Sequence, residues 1–175
     1  MTNFSEYYYF YQVKSDDDFL DYLAIKSSPE QVLWSGFKSA PNPVEFKDLF
    51  YTRFINSSVN YLFFLRNKST NELIGYSQLR KINENLFEQM GMGVYQKYQG
   101  QGFGSYIHFL ISQKVFEFSS EKIITLTSFV SQKNTSSLKA LFKAGYKKTG
   151  LQTKRFIQGF NCSHVFLEIE KKCTK

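Results

Sequence analysis

The sequence predicts a mixed α/β fold of the α+β kind, a single domain over residues 1–175 with one mostly antiparallel central sheet flanked by helices. Three observations carry that expectation. Strand-length apolar runs at 61–66, 73–82 and 86–95 are separated only by short polar turns at 67–71 and 83–85, as in an antiparallel meander. A glycine-rich segment, 99–105, then opens a stretch with helical spacing. The prolines Pro29, Pro41 and Pro43 all lie in the first quarter, leaving the remainder free for uninterrupted elements.

In order, Tyr7 to Val13 reads as a first strand. Asp16, Asp17 and Asp18 offer an N-cap and a favourably charged first turn to a helix through Phe19, Leu20, Tyr22 and Leu23. Residues 27–43 read as an interrupted region, followed from about Val44 by a helix with Phe46, Leu49, Phe50 and Phe54 on one face. In the third run of the meander Met90, Met92 and Val94 alternate, the mark of one strand face. The helix from about Gly102 carries an apolar stripe of Ile107, Leu110, Ile111, Val115 and Phe118. Ile123 to Val130 is a strand, and Asn134 opens a helix that Gly145 is placed to end. Two last strands fall near Tyr146 to Gln152 and His164 to Glu170.

Composition narrows the function. Twenty-two Lys and Arg against 15 Asp and Glu give a basic chain, but the charge is scattered and Lys171, Lys172 and Lys175 form only a short tail. A basic surface can suit nucleic acid, an anionic membrane or a polyanionic small ligand, and the scatter argues against nucleic acid. Cys162 and Cys173 have neither disulfide-framework nor metal-ligand spacing, so free thiols and no metal are expected. The longest apolar run, Tyr61 to Leu65, is far too short for a membrane helix. The expectation is a cytoplasmic protein, monomer or homodimer, with no membrane or nucleic-acid partner.

The informative segment is Gln99-Gly100-Gln101-Gly102-Phe103-Gly104-Ser105. Glycines at alternate positions allow a tight strand-to-helix turn with no Cβ over the amides. The unpaired N–H groups and the helix dipole then make an anion site. By itself such a turn also fits a ligand-free connection. A Rossmann site fits poorly, because the turn follows an antiparallel meander rather than opening a parallel βαβ unit. No Gly-Lys-Ser/Thr follows, which excludes a P-loop.

Gln99, Gly102 and Gly104 resemble the Gln/Arg-x-x-Gly-x-Gly/Ala signature of the GNAT N-acetyltransferase superfamily. Gln96 and Lys97 stand where the family usually has proline and glutamate. A second block, Asn134 to Ser137 followed by Leu138 to Tyr146, is similar to that superfamily's Asn-x-x-Ser…Lys-x-Gly-Phe block, in the branch holding ribosomal-protein, small-amine and amino-sugar acetyltransferases. Together the blocks cover 86–150.

The resemblance implies a GNAT-like fold and acetyl-CoA as co-substrate. It places the pyrophosphate on the turn from Gln99 through Gly100, Gln101, Gly102, Phe103 and Gly104 to Ser105, and the pantetheine arm beside Met92, Gly93 and Val94. Gly93 fits either a bulge that splays this strand from its neighbour or a plain weak strand position. Asn134 fits a contact to the arm, a helix cap, or both; Lys143 fits a phosphate partner or a solvated helix lysine. Transfer needs a neutral amine and a group to take its proton. Many relatives place a tyrosine acid seven residues after the block asparagine, where this chain has Leu141; Tyr98 and Tyr146 lie nearby as pocket wall or core. Glu88, eleven residues before Gln99, is the candidate general base, and Gln89 holds the position other relatives use. His108 and His164 read as structural. The acceptor pocket falls to the first two helices and their connection, with Trp34 and Lys38 as candidates. The implied reaction is acetyl transfer to a primary amine of a small molecule or peptide, an amino sugar or a peptide N-terminus. The alternative is a non-catalytic CoA-binding regulatory domain.

Overall fold

The computed structural model describes residues 4–35, 37–157 and 160–170, and of residues 151–157 and 160–164 the backbone alone. The chain opens with one helical turn, α1 (Phe4–Tyr7), and strand β1 (Tyr8–Gln12). Three helices follow: α2 (Phe19–Lys26), α3 (Pro29–Ser35) and α4 (Pro43–Phe50), the last widening into a π turn over Tyr51–Ile55. Then come β2 (Asn60–Asn67), β3 (Leu73–Lys81) and β4 (Leu86–Val94). Helix α5 (Phe103–Lys114), β5 (Ile123–Ser131), α6 (Thr135–Lys143), β6 (Lys147–Ile157) and β7 (Phe160–Glu170) complete it.

These strands form one seven-stranded sheet in the order β1-β2-β3-β4-β5-β7-β6. The mixed, mostly antiparallel fold expected from sequence is therefore the observed one. The parallel pair is β4 with β5, joined by α5 as a crossover and matched only from Leu86↔Thr125 to Gln89↔Ser128. Alternation builds a core on each face. Leu62 and Phe64 meet α2 and α4 through Tyr22, Phe46 and Phe50. Phe63, Leu79 and Phe87 meet α5, the turn after it and α6 through Ile111, Val115 and Leu141.

Local chemistry sets the element ends. Asn67 Oδ1 accepts from the amides of Ser69 (2.8 Å) and Thr70 (3.2 Å), closing the β2–β3 turn. Asn42 Oδ1 caps α4 through Val44 N (3.0 Å) and Glu45 N (3.2 Å), with Pro43 pre-set for the first turn. Gly145, at φ 98°, ends α6 while Tyr146 N reaches back to Leu141 O (3.1 Å).

Several boundaries differ from expectation. Asp16–Asp18 form a 3₁₀ turn rather than a side-chain cap, since Asp18 instead accepts from Arg66 (2.6 Å) and Tyr11 (2.7 Å). The interrupted stretch holds α3, and the last two strands start earlier or run longer than their apolar patterns suggest. Leu49 is exposed while Phe46, Phe50 and Phe54 are buried. Cys173, the basic tail, and the side chains of Cys162 and His164 lie outside the described residues. Among the described residues no helix is long and apolar enough to cross a membrane, and no group of three or more His, Cys, Asp or Glu is arranged to hold a metal.

Candidate active site

Beyond Gln89, β4 and β5 part, and among the described residues no strand pairs with β4 on that side from Met90 to Val94. A groove of about 500 Å³ fills the gap and runs to the N-terminus of α5. Two φ > 0 glycines build its closed end, Gly100 (75°) and Gly102 (91°). A Cβ on Gly100 would meet nothing within 4 Å, and one on Gly102 only Phe4 Cζ at 4.0 Å, so these glycines serve the turn and leave its amides uncovered. The first-turn amides of α5 have no carbonyl within their own helix to bond.

Met92, Gly93, Val94, Gln99 and Gly100 line this groove, as do Gly102, Phe103, Gly104 and Ser105. Asn134 and Lys143 enter it from α6, with Lys139 beside them. Asn134 Oδ1 also accepts from Ser137 N (3.0 Å), so it caps α6 from within the groove wall. Gln99 Nε2 donates to Val94 O (3.1 Å), tying the turn to the end of β4. Gln101 is exposed, turns its amide back to Lys97 O (2.9 Å), and its side chain is not among the lining residues.

A second cavity, of about 240 Å³, lies on the opposite face of β4 beneath α2, α3 and α4. It meets the groove at Gln31, Trp34 and Met92, which line both. At this junction Gly93 has no room for a side chain: a Cβ would stand 2.5 Å from Gln31 Nε2 and 2.6 Å from Tyr76 Cε1. Tyr76 OH donates to Gln31 Oε1 (2.7 Å) and accepts from Lys26 Nζ (3.1 Å), which also reaches Ser35 Oγ (2.6 Å). Burial raises the Tyr76 phenol well above its ordinary pKa. Burial, and then the nearby Arg53 guanidinium, push the Lys26 ammonium down to about 8.

Known proteins share this fold. The family model described as an acetyltransferase (GNAT) domain matches residues 9–147. The chain belongs to the GNAT acetyltransferase family. No curated protein matches it in sequence. Among solved structures, a spermidine N-acetyltransferase from Vibrio cholerae in complex with CoA and spermine superposes with a TM-score of 0.79 at 15% identity, covering 93% of this chain and 96% of its own. An aminoglycoside acetyltransferase in complex with coenzyme A gives 0.73 at 11% identity, covering 91% and 94%. At such identities the likeness is one of fold.

In this GNAT domain the remaining expected site residues are distributed unevenly. Trp34 lies at the junction, whereas Lys38 is exposed and lines neither cavity, its ammonium left in water. Gly93 marks a close approach, and the bulge of β4 falls earlier, where Gln78 pairs with Gly91 and Leu79 with Gln89. Glu88 is buried rather than exposed, on the face of β4 away from α5; it is ion-paired to Arg80 on β3 and lines neither cavity. Leu141 is core, and so is Tyr146, whose OH bonds Gln89 Oε1 (3.2 Å); Tyr98 lines the groove and bonds Glu72. The sequence reading missed Lys26, Gln31, Arg53 and Tyr76. Arg53 carries a signal in hindsight, lying three and seven residues past Phe50 and Phe46 on the edge of the buried face of α4. Lys26, as a helix-end lysine, carries none.

Proposed function

We propose that this GNAT domain is an acetyl-CoA-dependent N-acetyltransferase acting on a primary amine, that of an amino sugar or of a peptide N-terminus. The observation that carries this reading is the meeting of two cavities at Gln31, Trp34 and Met92. A groove ending in uncovered amides suits a long pyrophosphate-bearing ligand, and the smaller pocket beyond the junction suits an acceptor. Coenzyme A bound to structural neighbours supports the first assignment.

Bound acetyl-CoA would supply an activated acetyl thioester. The amides from Gly100 to Ser105 hold the phosphates, with Lys139 and Lys143 adding positive charge at the rim. The β4 backbone beyond Gln89, free of a β5 partner, hydrogen-bonds the arm. Gln31, fixed by Tyr76, offers its Nε2 at the junction where the amine must approach. With Leu141 in the core, no tyrosine at that position donates a proton to the departing thiolate; a thiol pKa of about 8.5 makes that loss tolerable. The amine's own proton is harder to shed, and Glu88, acting through water because its carboxylate lines neither cavity, is the proposed acceptor.

The test of the whole reading is acetyl-CoA calorimetry on Gly102→Glu. A side chain at a φ of 91° is strained, and its carboxylate repels phosphate. Binding should fall at least a hundredfold in a folded variant, and wild-type protein should release free thiol from acetyl-CoA in the presence of amines. Unchanged affinity in folded Gly102→Glu removes the groove assignment.

A further inference from the structure

Among the described residues, the acceptor cavity is lined by two cations and by no Asp or Glu. Lys26 is 6% exposed, with its Nζ on Ser35 and Tyr76 and 5.2 Å from the centre of the Phe37 ring. An ammonium has three donors, and these two hydroxyls use two of them. Arg53 reaches in from the end of α4, its Cζ 5.6 Å from the Phe54 ring centre and its Nη2 on the Met90 sulfur at 3.5 Å. A thioether is a weak acceptor for one of five guanidinium donors.

Elsewhere this chain pairs its buried charges, Arg66 among the cations and Glu88 among the carboxylates. Arg66 meets Asp18 and Asp21, each at 2.6 Å, and Arg80 meets Glu88. Neither Lys26 nor Arg53 forms an ion pair among the described residues. No Asp or Glu is among the described lining residues of the cavity. Residues 1–3, 36, 151–164 and 171–175 have no Asp or Glu in their sequence. Two neighbouring like charges are costly to hold beside a low-dielectric cavity, and an anion between them removes that cost. The surrounding Tyr22, Phe46 and Phe50 strengthen such a contact by excluding water. A polyamine in this cavity meets the opposite situation: its charges face Lys26 and Arg53 with no Asp or Glu among the described lining residues, Glu30 lying on the groove side of the junction.

Resting on the acetyltransferase reading above, we infer that the acceptor is an amine carrying an anionic group, carboxylate or phosphate, which Lys26 and Arg53 bind while the amine faces Gln31 at the junction. The inference separates this chain from relatives of the same fold whose acceptors are polycations.

The experiment compares matched acceptors on the whole protein saturated with acetyl-CoA: a hexosamine phosphate against the free hexosamine, an amino acid against its amide, and spermidine. Thiol release gives kcat/KM, and calorimetry with CoA-saturated protein gives binding independently of turnover. One anionic member should exceed its neutral partner by about tenfold or more, the usual effect of a charge-assisted contact. The first pair reports phosphate and the second carboxylate. Arg53→Gln should erase the preference by raising KM, and Arg53→Lys should keep most of it. Acetyl-CoA affinity of each variant confirms that the fold is intact. Equal use of both members of both pairs, or spermidine as the best acceptor, overturns the inference and leaves the acetyltransferase reading standing. Absence of turnover with every amine overturns that reading instead, and the binding arm still decides this one: anions that bind no better than neutral partners refute it.

Discussion

His108 gives this protein a specific weakness to acid. On α5 it lies against the sheet, fully buried, with Nδ1 2.7 Å from Gln89 Oε1. Gln89 Nε2 donates to Ser77 Oγ (2.7 Å), and Tyr146 OH donates to the same Oε1. An amide oxygen only accepts, so His108 carries its hydrogen on Nδ1, and Nε2 is a buried lone pair without a partner among the described residues. Protonating Nε2 would bury a charge with no counterion, and burial lowers the His108 pKa to about 3. The unfolded chain titrates near 6.5, so between about 6.5 and 3 it binds a proton that the folded state refuses. Stability is therefore complete above about pH 6.5 and falls as the pH drops. At pH 5.0 the loss from this group is about 2 kcal/mol relative to pH 7.5, from the two pKa values and RT. Urea unfolding at pH 7.5, 6.0 and 5.0 measures it, with His108→Asn as the reference that does not titrate. The variant starts less stable, but wild type should lose about 2 kcal/mol more than it does between pH 7.5 and 5.0. Parallel losses in the two proteins would refute the buried neutral imidazole.

Two further outcomes probe the site. Asn134→Ala removes the cap on Ser137 N and should cost about 1 kcal/mol in urea unfolding; because Asn134 also lines the groove, acetyl-CoA affinity by calorimetry should fall with it, and affinity unchanged alongside lost stability would reduce Asn134 to a cap. Glu88→Gln should lower kcat at neutral pH by about 10²–10⁴-fold, with partial recovery at higher pH as free amine increases and with acetyl-CoA affinity intact; a wild-type rate and pH profile would move the proton to a water chain held by backbone groups.

How much was legible in the sequence depended on whether the signal was local. The turn from Gln99 to Ser105 was legible because φ > 0 and bare amides demand glycine wherever the chain ends up. The meander was legible because its polar turns carry their own hydrogen bonds, as Asn67 and Asn83 do. The acceptor cavity was not. It is assembled from α2, α3, the end of α4, and two strands, and Lys26 meets Tyr76 across 50 positions of sequence. Nothing in the neighbourhood of either residue announces the other. Glu88 shows the same limit from the other side: its spacing from Gln99 is a local fact, but its pairing with Arg80 follows from the β3–β4 register.

That register also explains the one strand face misjudged from the alternation of Met90, Met92 and Val94. Because Gln78 pairs with Gly91 and Leu79 with Gln89, Met90 is an extra residue in β4, and side-chain parity inverts across it. Before the bulge, Phe87 and Gln89 face α5, the latter through His108. After it, Met92 and Val94 face α5, packing with Phe103 and Ile107. The acceptor side accordingly receives Met90 and then Gly91 and Gly93, against Gln78, Gln31 and Tyr76. A strand without the bulge would turn Met92 and Val94 fully into the smaller cavity, which Met92 now reaches only at its junction with the groove. The bulge also falls where pairing with β5 stops, one residue past Gln89↔Ser128. A single inserted residue thus stands where β4 loses its β5 partner and turns two glycines toward the junction of the two cavities. The Gly-Met-Gly of residues 91–93 is the sequence trace of this arrangement, and it becomes readable only once the register is known.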